Sequence, residues 1–152
     1  MIEVCDIYTL ERHLRESIPL ARAMELQVVD YDGYRLALSA PLGPNINDKG
    51  CAFGGSMSSL LTLAGWGLVN LKLAELKLSA DIYIQDSYLS YLTPVWGEIV
   101  AEAYVSDADW TAFVSCFRDK NKARVSIEAE ISGIDGAGIA AKQTSHYVAK
   151  IK

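Results

Sequence analysis

At 152 residues, half of them apolar, the chain is the size of one globular domain with room for a proper hydrophobic core. A net charge of −5 and a pI near 5.0 argue against a nucleic-acid binder or a polybasic membrane contact. Cys5, Cys51 and Cys116 are too scattered for a zinc site or a disulfide framework. The start M-I-E-V-C-D lacks signal-peptide character, so a reduced, cytoplasmic protein is expected.

Ile7, Leu10 and Leu14 recur at helical spacing. They predict an amphipathic helix over 7–17 that stops near Pro19, with a short turn over 20–24 after a kink. Residues 25–30 and 34–40 are β-prone and flank D-Y-D-G, a hairpin signal; Pro41 and Pro44 end the second strand. A loop over 45–53 leads into residues 56–76, which have almost no polar side. A helix apolar on nearly all faces must be surrounded by protein or lipid. Lipid does not fit, because Ser58, Ser59, Thr62, Asn70, Lys72 and Glu75 interrupt the run short of the ~20 apolar residues a bilayer needs. The helix is therefore the core, and a sheet has to wrap it.

Beyond it, 80–93 is the longest β-prone stretch, closed by Pro94, and 98–105 alternates well and is expected to pair with it. Trp110, Phe113, Val114 and Phe117 return to helical spacing and, with Ser106 and Asp109 as a capping box, predict a helix over 107–118. Strands over 122–132 and 139–150 follow, joined by a turn containing G-I-D-G-A-G. Most connections are too short for parallel βαβ units. The expected class is α+β, one domain over 1–152: an antiparallel sheet wrapped around one long central helix, the outline of the hot-dog fold.

Chemistry concentrates at the loop-to-helix junction Gly50-Cys51-Ala52-Phe53-Gly54-Gly55-Ser56. Glycines let a ligand approach the backbone, and free N–H groups at a helix start favour developing negative charge, such as a thioester oxygen. The same glycines could equally serve only to start the helix against the sheet. N-D-K-G-C-A-F-G-G from Asn47 to Gly55 is similar to the Asn-x-x-Gly-x-x-His-Gly-Gly pattern of hot-dog acyl-CoA thioesterases. Y-L-T-P-V-W-G-E from Tyr91 to Glu98 resembles their Tyr/Phe-x-x-Pro-x-x-Gly-Asp/Glu pattern. The longer strings P-N-I-N-D-K-G-C-A-F-G-G-S, L-A-G-W-G-L and D-S-Y-L-S-Y-L-T-P-V resemble the thioesterase family of YiiD C-terminal type, over nearly the whole chain.

The resemblance implies a homodimer, often a dimer of dimers, with active sites at the subunit interface and no metal or redox cofactor. The substrate would be an acyl-CoA or acyl-carrier-protein thioester. Asn47 would lie near the thioester carbonyl and the Gly54 or Gly55 N–H in an oxyanion hole. Two departures stand out. Phe53 occupies the place of the pattern's His, and Thr62 that of the Asp many relatives carry on the helix. Both count against a hydratase or dehydratase, while the missing carboxylate favours a non-catalytic acyl-thioester binding or dimerisation module as the other alternative.

The replacement base expected here is Asp86. Period-two alternation sets it on one strand face with Ile82, Ile84, Tyr88 and Leu92, the more apolar face, which should look toward the helix. A carboxylate there needs partners or a raised pKa, as a general base would have, although hydrogen bonds at a bulge would satisfy it equally. Phe53, Ser56, Ser59 and Thr62 are the candidate substrate-lining residues, and Ser58 joins that polar cluster; bonding of Ser and Thr back to the carbonyl four residues earlier is the plainer account. Lys49 and the cluster Arg118, Lys120, Lys122 and Arg124 could meet CoA or carrier phosphates, or be solvated. Gly65 and Gly67 are expected at close contacts, with Trp66 in the core or an interface. Cys51 reads as a small buried hydrophobe or a thiol activated at the helix start. His13 and His146 are not expected to form a site.

Overall fold

The computed structural model describes residues 4–133 and 136–152. Ile134 and Asp135, in the turn expected between the last two strands, lie outside the described residues.

Helix α1 (Ile7–Ser17) starts in a capping box in which Asp6 accepts from the Thr9 N–H at 2.8 Å and the Thr9 hydroxyl accepts from the Asp6 N–H. It buries Leu10 and Leu14 and ends where Ile18, ahead of Pro19, turns extended; a short helix α2 (Pro19–Ala23) continues. Strands β1 (Gln27–Tyr31) and β2 (Arg35–Ala40) form the expected hairpin. Its turn is held by the Asp32 carboxylate, which accepts from the N–H groups of Tyr34 and Arg35, while Gly33 takes the positive φ of +92°.

Helix α3 (Gly54–Glu75) is 22 residues long and buries side chains all around its circumference, from Met57 to Leu73. Gly65 and Gly67 are close contacts, as expected: an added Cβ would collide with the Tyr147 ring at Gly65 and with Leu36 at Gly67. Strands β3 (Ala80–Tyr91) and β4 (Ile99–Tyr104), helix α4 (Asp107–Lys120), β5 (Lys122–Ser132) and β6 (Ile139–Ile151) complete the chain. Ser106 caps α4, accepting from Asp109 N–H at 3.1 Å. Phe113 and Phe117 are buried on its inner face.

All six strands form one antiparallel sheet in the order β1-β2-β4-β5-β6-β3. It wraps α3 in the expected hot-dog arrangement. One expectation fails: β3 does not pair with β4. It pairs with β6, from Ala80↔Ile151 to Tyr91↔Ala141, while β4 lies between β2 and β5. The reason is length. A 12-residue strand finds full backbone hydrogen bonding against the 13 residues of β6 and not against the six of β4. The link from β3 to β4 instead crosses beside the loop before α3, where Val95 O accepts from Ala52 N–H at 2.8 Å.

Candidate active site

The loop before α3 is built from its own asparagines. Asn45 is buried and donates from Nδ2 to Met24 O and Pro41 O, while its own carbonyl accepts from Phe53 N–H at 2.7 Å. Asn47 Oδ1 accepts from the N–H groups of Lys49 and Cys51, and its Nδ2 lies 3.2 Å from Cys51 Sγ. The Asn47 side chain is thus engaged in closing the loop. Lys49 is exposed and paired with Asp48 at 2.9 Å; Cys51 is buried, as a small apolar residue would be.

The loop delivers the tip of α3 without a side-chain cap. Phe53 N–H is taken by Asn45 O and the first helical bond runs from Met57 N–H to Phe53 O, which leaves the N–H groups of Gly54, Gly55 and Ser56 outside the helical ladder. Two exposed aromatic rings flank them. The Phe53 ring lies so close over Gly55 that a Cβ there would overlap it. Tyr91 stands against Gly54 and donates its hydroxyl to Gly54 O at 2.8 Å. Gly55 therefore admits the Phe53 ring to the helix tip, Tyr91 packs at ordinary contact distance beside Gly54, and the positive end of the helix dipole lies between the two rings. In the sequence Tyr91 is only the first residue of the Y-L-T-P-V-W-G-E motif; the crossing segment that follows it, bonded to Ala52 through Val95 O, is what brings its ring here.

Down the helix, Ser59 Oγ donates back to Gly55 O at 2.8 Å, the plainer of its two readings. Ser56, Ser58, Thr62, Leu63 and Trp66 are half-buried on α3, and Trp66 Nε1 donates to Ile82 O of β3 at 3.0 Å. Thr62 O accepts from the Tyr147 hydroxyl at 2.7 Å; burial pushes this phenol above the ordinary tyrosine range, so it stays a donor. Glu75, the first acid on α3, sits at the far end and accepts from Tyr31.

Asp86 is not where alternation put it. A bulge between Ile84 and Asp86 adds one residue to β3, and the strand changes face there. Ile82 and Ile84 oppose Ala149 and Tyr147 on the helix side. Asp86 opposes His146 on the outer side, and its Oδ1 lies 2.6 Å from His146 Nδ1. Asp86 and the tip of α3 are therefore on opposite faces of the sheet. His146, expected to be outward and without a site, is outward but paired with this carboxylate. A polar Gln85-Asp86 pair inside an otherwise regular strand is the signal that could have announced the bulge.

The basic cluster divides. Lys120, Lys122 and Arg124 line an outer recess of about 480 Å³ with Gln85 and Val148, and Arg124 donates to Gln85 Oε1; Arg118 lines a separate groove with Trp110 and Val114. Among the described residues, no three His, Cys, Asp or Glu side chains gather to hold a metal ion, and no helix is long and apolar enough to cross a membrane.

Comparison with known proteins agrees with this architecture. A family model described as "Putative thioesterase (yiiD_Cterm)" matches residues 7–151. A protein of unknown function from Chlorobaculum tepidum TLS superposes with a TM-score of 0.90 at 31% identity, over 95% of this chain and 94% of that one. A "putative thioesterase" from Shewanella oneidensis gives 0.87 at 29% identity, over 95% and 96%. A thioesterase from Haemophilus influenzae gives 0.76 at 12% identity over 99% and 94%, a likeness of fold alone.

Proposed function

The chain belongs to the family described as "Putative thioesterase (yiiD_Cterm)", and from that premise we propose that it hydrolyses acyl thioesters in a cleft shared by two copies of itself. The observation that carries this reading is the uncapped tip of α3, with its unengaged N–H groups between Phe53 and Tyr91. A thioester carbonyl oxygen set against the Gly54 and Gly55 N–H groups gains stabilisation as it becomes an oxyanion. Water adds to the carbonyl carbon, the C–S bond breaks, and the proton given up by water ends on the departing sulfur. The products are a carboxylic acid and a thiol.

The second copy is argued from β3. It is an edge strand of 12 residues bonded on one side to β6, and Tyr83, Ser87, Tyr88 and Tyr91 along it are exposed. A long bare edge invites strand pairing. Pairing β3 with the β3 of a second copy covers that edge and closes a cleft beside the α3 tip, with Phe53, Ser56, Ser59 and Thr62 along its wall. Dimers of this kind, or dimers of dimers, are part of the proposal. So are acyl-CoA or acyl-carrier-protein thioesters as substrates, Lys49 at the mouth for their phosphates, and a reducing cytoplasmic setting that suits three free cysteines.

The outward turn at the bulge removes the argument that made Asp86 the base. Asp86→Asn should keep hydrolysis within about twofold of wild type, since the dyad with His146 faces away from the cleft; a much larger loss would restore Asp86 to the reaction. A non-catalytic thioester-binding module is the second reading, favoured by one observation: α3 carries no carboxylate in its first turn and none before Glu75. Free-thiol release from a panel running from acetyl-CoA to palmitoyl-CoA decides between them. Binding without release supports the second reading and overturns the first.

A further inference from the structure

Strand β6 sends Ala141, Gln143, Ser145, Tyr147 and Ala149 to the helix side of the sheet, and all five are buried. Tyr147 is hydrogen-bonded to the helix. Gln143 and Ser145, each only 1% exposed, are not. Both ends of the Gln143 carboxamide lack any hydrogen-bond partner, and the Ser145 hydroxyl has none but the neighbouring Tyr147 phenol. Buried polar groups are nearly always paired, so a carboxamide left open at both ends calls for a missing partner. Apolar residues of the same shape would fill these positions at no such cost.

Their place in the fold says where that partner comes from. Ala141 opposes Tyr91, whose hydroxyl reaches Gly54 at the helix tip, and Tyr147 reaches Thr62, about two turns farther along α3. Gln143 and Ser145 lie on β6 between those two anchor points. Their neighbours on β3 are Leu89 and Ser87, and Ser87 is exposed on the same face at the open edge. The polar row thus runs from the interior to the side from which a substrate would enter. An acyl chain held by its carbonyl at the Gly54–Gly55 amides and running inward along β6 would meet this row.

We propose that Gln143 and Ser145 are specificity residues that hydrogen-bond a hydroxyl or oxo group on the acyl chain, so that the substrates are polar-substituted rather than plain alkanoyl thioesters. This rests on the thioesterase reading. The carboxamide offers one donor side and one acceptor side, and the hydroxyl supplies either, which suits a chain hydroxyl fully and an oxo group through Nε2. A plain alkyl chain would leave both ends of the carboxamide unpaired and would displace any water on them. Sites built to bond a substrate hydroxyl discriminate strongly against the analogue that lacks it.

The test compares 3-hydroxybutyryl-CoA with butyryl-CoA, and 3-hydroxyoctanoyl-CoA with octanoyl-CoA, on wild type, Gln143→Leu and Ser145→Ala. The thioether analogues of the same pairs are bound in parallel and followed by tryptophan fluorescence. Wild type should favour the hydroxylated member by about tenfold or more in kcat/KM. Gln143→Leu should abolish or reverse that preference while melting no lower than wild type, because it removes unpaired polar atoms. Ser145→Ala should reduce the preference and serves as the readout should the leucine variant fail to fold. An unchanged ratio in both variants, with hydrolysis intact, overturns the inference and leaves the thioesterase reading standing; the pair would then hold only a structural water. If wild type hydrolyses none of the four, that reading falls, and the thioether affinities decide: a preference lost in the variants supports the inference, and equal affinities overturn it.

Discussion

The two ends of α3 are treated in opposite ways. At the C-terminal end Lys77 adopts φ +56°, its N–H bonds Ala74 O and the Leu78 N–H bonds Leu73 O, which closes the helix with a Schellman turn. Lys72, only 8% exposed, donates from Nζ to Gly33 O at 2.8 Å and lies over the Trp110 and Tyr34 rings. Glu75 accepts from Tyr31, whose phenol is pushed upward first by burial and then by this carboxylate. At the N-terminal end there is no side-chain cap at all, two glycines occupy the first turn, and the rings beside them are exposed. An N-cap from Ser, Thr, Asp or Asn is worth about 1 kcal/mol and is easily encoded. A helix sealed so thoroughly at one terminus and left open at the other is consistent with the proposal that a thioester carbonyl binds at the open one.

The contrast can be broken at either end. The largest effect is expected from Gly54→Pro. Proline is tolerated at the first position of a helix, and Phe53 already has the extended φ −67°, ψ 130° that a residue before proline prefers. The variant should fold with a melting temperature near that of wild type, yet lose an amide donor and with it about 10²–10³ of the hydrolysis rate. A fully active, folded Gly54→Pro protein would show that this N–H is not part of the reaction.

At the sealed end the expectation is reversed. Lys72→Met keeps the aliphatic stem but loses the bond to Gly33 O and the ring contacts, at about 1–2 kcal/mol in urea unfolding. Hydrolysis per folded molecule should not change. The smallest effect concerns pH. Asp32 holds the turn that presents Gly33 O, and the N–H groups of Tyr34 and Arg35 keep its carboxyl below the ordinary 3.8. A depressed folded pKa means the contribution is present above pH ~4 and is lost as the pH falls through the folded value. Thermal melts should therefore separate wild type from Asp32→Asn at pH 7 and converge as the pH falls below the ordinary carboxylate range. The open tip has no acid in its first turn, so no matching acid sensitivity is expected there.

Much of the architecture is legible in the residue order. The boundaries of α1, β2, α4 and β5 follow from spacing, caps and prolines to within a few residues, and a helix without a polar side had to become the core. The tip of α3 was legible as an uncapped helix start with free amides because glycines there have a local physical meaning. Its partner Tyr91 was not, since nothing local links a tyrosine at the end of β3 to a glycine 37 residues earlier.

What the sequence determined by itself is what depends on neighbours along the chain: which segments are helix or strand, which helix must be buried, and where its tip carries free amides. The tertiary structure alone decided that β3 lies against β6, that a bulge turns Asp86 outward to His146, and that the Gln143 carboxamide is buried with nothing to bond. These are matters of register between distant strands. One inserted residue reverses every side chain beyond it, and the partner that accommodates it lies about 60 residues away on β6, beyond the reach of any local pattern.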